Sequence, residues 1–472
     1  MLNMEVNAIY EGDNLEILSK FPDKSVDLIY ADPPFYTNKG FEIIWKDGAE
    51  RRAFEDRWAG GIEHFISWME PRLRECHRIL KDTGSMFLHC DWHANAHLRI
   101  LMDKIFGEKN FKNEIIWKRS DAHNDSNRYG NVHDVILFYT KGIKWTWNVQ
   151  YNTLSSETAD KWYRYEETAE KDIKNRLGVL IKAGSIRRFN KADITGAGTN
   201  PNDKPWKEKM PPSGRHWAYN FDTMRQLEKE NRLIYSKSGM VYEKRYLDES
   251  KGTPLQTVWT DISQLRGIHK SGEWLGFPTQ KPVALLERII NCSSNKNEIV
   301  LDPFCGCGTT LVASQRLGRK WIGIDISPTA CKLMQKRLRQ EFKINFQLVR
   351  GKVDLNYVKN LQPFEFQNWV VVDKFLGKVS DRKSGDMGID GWTPQVTGGY
   401  PIQVKQSSDV GRNVVDNFET AIDRVNKKKG YIVAFSFGKG AVEEVARIKN
   451  RKGIQIILRT VQDLLDGKIE EK

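Results

Sequence analysis

Asp32-Pro33-Pro34-Phe35 closes the apolar run Val26 to Ala31 with an acid, two prolines and an aromatic ring. Consecutive prolines fix φ twice and remove two N–H donors, leaving rigid outward carbonyls. A fixed carboxylate and a fixed carbonyl can accept both hydrogens of one amino group, and Phe35 offers a face for a planar base. Such a loop suits the amine of a nucleobase. That amine is a poor nucleophile, because its lone pair is delocalised into the ring. Acceptors at Asp32 and the Pro33 carbonyl favour a tetrahedral nitrogen during attack and stabilise the positive charge that develops there. The matching methyl donor is a sulfonium, whose cation sits well against aromatic faces such as Phe35 or Phe304. A duplex hides the amine, so the base must swing out.

A second segment, Ile299 to Thr310 (IVLDPFCGCGTT), reads as a strand, a glycine-rich turn and a helix start. Glycines at 306 and 308 let the backbone turn sharply and approach a ligand. The next strand, Trp321 to Ile324, ends at Asp325, about twenty positions after Asp302, where an acid suits ribose hydroxyls. NAD competes for this pattern. However, the turn lacks the G-x-G-x-x-G spacing that brings a helix to a pyrophosphate, and a nucleoside cofactor without phosphate has no use for it. Both loops follow buried strands, and ligands of open α/β sheets collect at the carboxyl ends of strands.

The elements that position these loops alternate between strand and helix. Strands are expected at Ser25–Tyr30, Ser85–His89, Asn113–Trp117 and Asp134–Tyr139, with a helix over Glu63–Leu80 that contains Pro71. After residue 282 come a helix (Val283–Asn291), a strand (Glu298–Leu301), a helix (Thr309–Leu317), a strand (Trp321–Ile324) and a helix (Pro328–Phe342). Between them, 151–275 is rich in Trp, Tyr, Arg, Lys and Gly, and its strands are hard to place. A further α/β unit follows from about residue 360. It is expected to hold a helix at Phe364–Lys374, strands near Gly388 and at Pro401–Lys405, a helix near Asn417–Asn426, and then strand, helix, strand to Arg459. The domains implied are 1–150, 151–275, 276–350 and 362–472.

A length of 472 residues fits two or three domains, and 39% hydrophobic residues leave material for real cores. A mean hydropathy of −0.58 and the lack of a long apolar run exclude a membrane-spanning reading. The opening residues carry no basic flank followed by an apolar stretch, so no secretory signal is expected. A net charge of +13 favours polyanions, and 15 tryptophans suit contact with bases. The six cysteines form no CxxC pair, so zinc is not expected and they read as reduced core residues.

Taken in order, these motifs resemble the amino-group DNA methyltransferases of the β arrangement, in which the catalytic block precedes the cofactor block. The match covers roughly residues 8 to 345. The resemblance implies a permuted Rossmann-like α/β sheet with an inserted target-recognition region at 151–275, acting on double-stranded DNA with S-adenosylmethionine in a prokaryotic cytoplasm. Asp32, Pro33, Pro34 and Phe35 resemble the catalytic motif. Asp302, Phe304, Gly306 and Gly308 resemble the S-adenosylmethionine loop, and Asp325 the ribose-binding acid. Thr279, Gln280 and Lys281, in Phe277 to Pro282, resemble the motif holding the methionine end, and Asp13, in Gly12 to Leu15, the segment contacting adenine. Aspartate at the head of the catalytic motif favours adenine as target, with the cytosine amine as the alternative. Phe35 replaces the commoner tyrosine, keeping the face and losing the hydroxyl. RNA or protein methylation and non-catalytic DNA binding are the more distant readings. A homodimer and a cognate restriction enzyme are partners such an enzyme admits.

Ser384 to Gly391, followed by Ile402-Gln403-Val404-Lys405, places an acid, Asp390, before a strand on which Gln403 and Lys405 share one side. Asp390 and Gln403 could hold a magnesium ion, with Lys405 positioning a water. This resembles the Mrr-like branch of the PD-(D/E)xK nucleases, a restriction-endonuclease-like α/β domain, and Glu365 matches that family's helix acid. It implies either a combined restriction and modification enzyme or an inactive module that binds DNA.

Overall fold

The computed structural model describes residues 4–36, 40–44, 50–55, 61–121, 127–200, 203–236, 240–265, 272–275, 279–351, 353–361, 363–380 and 388–469. Phe277, Pro278 and the stretch Ser384 to Met387 lie outside these. The chain divides into two compact units, one formed by Met1–Asn148 with Gln256–Lys472, the other by Val149–Leu255.

The first unit is built on a nine-stranded sheet. Its strands in chain order are β1 (Ala8–Glu11), β2 (Val26–Ala31), β3 (Leu80–Cys90), β4 (Phe111–Lys118), β5 (His133–Thr140), β6 (Val258–Trp259), β7 (Ile299–Asp302), β8 (Lys320–Asp325) and β9 (Gln347–Arg350). Across the sheet they run β6-β4-β5-β3-β2-β7-β8-β1-β9. Only β5 is antiparallel to its neighbours. The remaining pairings are parallel, so the sheet must be covered on both faces. Alternate side chains of β2 show this directly. Ile29 and Ala31 pack with Met69 and Leu73, while Leu28 and Tyr30 pack with Leu286 and Ile289 on the opposite face.

The helices that supply those faces follow from spacing and caps. Helix α1 (Asn14–Leu18) is capped by Asp13, and α2 (Gly61–Ile79) buries Phe65, Met69, Leu73 and Cys76, the i, i+4 stripe of a core-facing helix. Pro71 is carried inside α2, where its missing N–H costs one ladder bond. Helices α3 (Asn95–Phe106), α4 (Val283–Ser293), α5 (Thr309–Arg316) and α6 (Pro328–Phe342) complete the layers.

Beyond β9 the chain forms α7 (Leu355–Lys359) and α8 (Pro363–Asn368), then a wider turn of helix over Trp369–Lys374. The long helix expected at Phe364–Lys374 is therefore present without a break, its second half wound more widely. A five-stranded sheet follows, in chain order: β10 (Lys378–Val379), β11 (Gly391–Trp392), β12 (Pro401–Val404), β13 (Lys429–Ala434) and β14 (Gln455–Thr460). The expected strand near Gly388 begins only at Gly391. Gly388 itself has φ +90°, and a Cβ there would sit 3.2 Å from Gln403 Nε2. Helix Arg412–Arg424 starts five residues before the expected Asn417, and Lys439–Lys452 lies between β13 and β14.

The second unit holds a four-stranded antiparallel sheet, ordered Leu233–Tyr235, Val241–Tyr246, Ile186–Asp193, Tyr165–Thr168, with helices Ser156–Trp162 and Phe221–Lys229. The sequence hides these strands because charged residues occupy inward positions. Arg187 and Glu243 are buried, Arg187 paired with Asp248 at 2.7 Å and Glu243 with Arg176 at 3.2 Å. The unit closes at Leu255 rather than at residue 275, since Val258–Trp259 already joins the main sheet beside β4. Among the described residues no helix is long and apolar enough to cross a membrane.

Candidate active site

Strands β2 and β7 are direct parallel neighbours, with Leu28 opposite Val300 and Ile29 opposite Leu301. Asp32 and Asp302 therefore leave the sheet at the same carboxyl edge. After Asp302 the chain turns through Gly306 (φ +50°) and Gly308 (φ +77°), both left-handed. At Gly308 a Cβ would meet Met334 Cγ at 2.8 Å, so only glycine lets α5 start this close to α6.

The acids of this edge are fixed by donors. Asp302 accepts from Phe304 N at 3.0 Å and from Thr310 Oγ1 at 2.5 Å. Burial dominates all the same and pushes its carboxyl up to about 7. Asp325 accepts from Gly306 N at 2.8 Å and Ser327 N at 2.9 Å, and burial raises it to about 6. On β1's side, Asn14 Nδ2 donates to the Pro303 carbonyl at 2.8 Å, tying the Gly12–Leu15 segment to the glycine loop. Asp13 caps α1 through Leu15 N and pairs with Arg72 at 2.6 Å. Arg72 also donates to Asn14 Oδ1 and lies 3.9 Å over the Trp68 ring. Sequence reasoning missed Arg72, which holds both Asp13 and Asn14; the buried face of α2 was the available signal.

Asp32 is held from one side only. Lys281 Nζ donates to Asp32 Oδ2 at 2.6 Å and covers the Phe35 ring at 4.9 Å, while Asp32 Oδ1 is buried with no hydrogen-bond partner among the described residues. Phe35 leans on His89 at 5.4 Å between ring centres. His89 is fully buried, with Nε2 3.3 Å from Asp134 Oδ2 and Nδ1 2.7 Å from Tyr30 Oη. A carboxylate only accepts, so the ring proton is assigned to Nε2 and Tyr30 donates to Nδ1. Burial alone would raise Asp134, but His89, Lys281 and Arg119 outweigh it and hold its carboxyl below the usual range. Gln280 turns toward the chain before it, accepting from Leu275 N at 2.8 Å and donating to Glu273 O at 2.7 Å.

One cavity of about 820 Å³ joins these parts. It is lined by Asp32 to Phe35, Thr279 to Lys281, the Asp302 to Cys307 turn, and Asp13 and Asp325. Its size lies within the range of small-molecule sites. The orphaned Asp32 Oδ1 and the close-approach glycine turn fit a nucleoside cofactor with an amine beside it.

The C-terminal candidates do not all meet. Asp390 Oδ2 accepts from Val404 N at 2.7 Å, beside Gln403, whose Oε1 is buried and without a hydrogen-bond partner among the described residues. Lys405 follows on the same strand side, half-buried. An acid with an orphaned amide oxygen fits one edge of a magnesium site, although no cluster of three acidic, histidine or cysteine ligands occurs among the described residues. Glu365 does not belong to this group: its carboxyl accepts from Ser327 Oγ and lines the 820 Å³ cavity. A helix acid was legible in the sequence, but not the side to which its helix turns.

Residues 26–336 match the DNA methylase family, and 359–466 match the restriction endonuclease family. The chain belongs to the DNA methylase family. It is a S-adenosylmethionine-dependent DNA amino-methyltransferase carrying a C-terminal restriction-endonuclease-like domain. Similar proteins include the Type II methyltransferase M.EcaI of Enterobacter cloacae, 31% identical over 70% of this chain and 69% of its own. Type II methyltransferase M.KpnI of Klebsiella pneumoniae is 32% identical over 66% of this chain and 77% of its own. The DNA adenine methyltransferase YhdJ of Escherichia coli is 28% identical over 71% and 83%.

Proposed function

We propose that the chain methylates the exocyclic amine of an adenine turned out of double-stranded DNA at a specific site. The observation that carries this is the sharing of one cavity by the Asp32–Phe35 loop and the Asp302–Gly308 turn. Bound S-adenosylmethionine would supply an electrophilic methyl carbon, whose bond to sulfur breaks to leave S-adenosylhomocysteine. Asp32 Oδ1 and the Pro33 carbonyl accept the two amine hydrogens, which draws the lone pair out of conjugation and toward that carbon. Phe35 stacks on the base, with His89 behind it. The surplus amine proton leaves through Asp32. Lys281 keeps the carboxylate aimed throughout.

Adenine is favoured over the cytosine amine by the aspartate that heads the motif, and one similar protein is named an adenine methyltransferase. The Val149–Leu255 unit is the candidate reader of sequence; Tyr165 on its sheet is exposed, with Lys191 Nζ 4.0 Å over the ring, a pairing that suits bases. With DNA as substrate, the reaction belongs in a prokaryotic cytoplasm. Mass spectrometry of nucleosides from DNA treated with the enzyme tests the reading. N6-methyladenine is expected, N4-methylcytosine would replace the target, and transfer of labelled methyl only to RNA or protein would overturn it. Asp325→Ala should weaken calorimetric cofactor binding, and an unchanged affinity would remove the ribose contact.

A second activity is favoured by the buried, orphaned Gln403 oxygen beside Asp390: cleavage of unmethylated DNA with magnesium. Cuts that vanish in Lys405→Ala would support a combined restriction and modification enzyme. DNA left intact would make the module a binding element beside a separate cognate nuclease.

A further inference from the structure

After β9 the chain does not leave the cofactor cavity. Tyr357 on α7 and Glu365 on α8 both line it, although Glu365 lies within the restriction-endonuclease-like match. Tyr357 Oη and Glu365 Oε2 are each buried with no hydrogen-bond partner among the described residues. Buried polar atoms are ordinarily satisfied, so two orphans on one wall of a cavity point to a molecule that completes them.

Their place in the cavity indicates which part of that molecule. Glu365 Oε1 accepts from Ser327 Oγ, and Ser327 N in turn donates to Asp325 Oδ1 at 2.9 Å. Asp325 ends the strand after the glycine turn, where an acid suits ribose hydroxyls. Hydroxyls both donate and accept, and a purine offers ring acceptors, which a phenol and a carboxyl can match. Burial, foremost, raises the Glu365 carboxyl to about 8, so it enters the site with a proton to donate.

The position is held by packing as well as by that bond. Phe366 is fully buried and stacks on Phe435 of the C-terminal domain at 5.4 Å. On the methyltransferase side, Lys332 pairs with Asp373, and Asn368 Nδ2 donates to Thr329 Oγ1 at 3.3 Å. The start of α6 and the start of the C-terminal domain thus meet over the cavity.

We propose that Tyr357 and Glu365 are adenosyl-binding residues, so that the cofactor is gripped jointly by the methyltransferase sheet and the entrance to the nuclease-like domain. The inference rests on reading the cavity as the S-adenosylmethionine site. Joint binding makes cofactor occupancy and domain docking reciprocal: each favours the other.

The test is calorimetric titration of the full chain with S-adenosylhomocysteine. Glu365→Leu should weaken binding about tenfold or more, and Tyr357→Phe by several-fold. Glu365→Gln, which keeps the hydrogen bond to Ser327 and a polar head in the cavity, should stay within about threefold of wild type. Hydrogen exchange on the wild type, which needs no variant to fold, should slow across 354–374 when S-adenosylhomocysteine is added. Unchanged affinity in both Glu365→Leu and Tyr357→Phe, or unchanged exchange over that segment, overturns the proposal. If Asp325→Ala loses binding in the same series, the cofactor reading stands without it. A wild type that never binds S-adenosylhomocysteine removes both.

Discussion

Lys281 Nζ lies 2.6 Å from Asp32 Oδ2 across 249 positions of chain. The segment before the Asp302–Gly308 turn thereby grips the Asp32–Phe35 loop directly. One carboxylate oxygen is anchored and the other is buried with no hydrogen-bond partner among the described residues, an arrangement suited to a group that must accept from substrate without moving.

Removal of that unpartnered oxygen should stop chemistry while leaving the cofactor in place. Asp32→Ala is expected to reduce labelled-methyl transfer by roughly 10²–10³-fold or more. Calorimetric affinity for S-adenosylhomocysteine should stay within a few-fold of wild type. Turnover at the wild-type rate would take Asp32 out of the mechanism.

Loss of the anchor should act differently. Lys281→Met strands Asp32 Oδ2 beside an apolar chain. A fall in kcat of about 10- to 100-fold is expected, with little change in KM for DNA. Lys281→Arg should recover part of it. A variant that raised KM alone would instead mark Lys281 as a binding residue.

Arg72 offers a test of the Gly12–Leu15 segment. Arg72→Leu leaves Asp13 Oδ2 and Asn14 Oδ1 without their guanidinium. Affinity for S-adenosylhomocysteine should drop about tenfold, with thermal stability falling a few degrees, since one truncation unmakes two charge-assisted bonds. Normal affinity would show that the segment holds its shape unaided.

The cavity acids also set a pH dependence. Burial lifts Asp325 to about 6, Asp302 to about 7 and Glu365 to about 8. Because these native values lie above the unfolded ones near ~4, the folded protein keeps protons that the unfolded chain has lost. Their stabilising contribution is complete below the unfolded values and is lost as pH rises through the folded ones. The ligand-free protein should therefore melt at a lower temperature at pH 8.5 than at pH 6, and Glu365→Gln should flatten that slope. Identical slopes in scanning calorimetry would count against Glu365 as a contributor.

Asp32–Phe35 and Asp302–Gly308 were legible in the sequence because prolines and glycines wrote their loops beside apolar strands. Their meeting followed from both strands being parallel. The partners that aim them were not legible. Arg72 is one of several basic residues on α2, and its partner Asp13 lies 59 positions away. Glu365 carried the spacing of a helix acid, but spacing does not say which way a helix of six residues faces. The Val149–Leu255 sheet was obscured for another reason: buried ion pairs such as Arg187–Asp248 break the alternation that marks a strand.

Strand β1 lies between β8 and β9, so both its neighbours are made more than three hundred residues after it. A chain emerging from the ribosome must therefore carry β1 unpaired until residue 325 is out. The sheet cannot close on a shorter fragment, because Asp302 to Gly308 and Asp325 also arrive late. The endonuclease-like domain is translated later still. In every copy synthesised, the nine-stranded sheet can close before the restriction-endonuclease-like domain has finished folding.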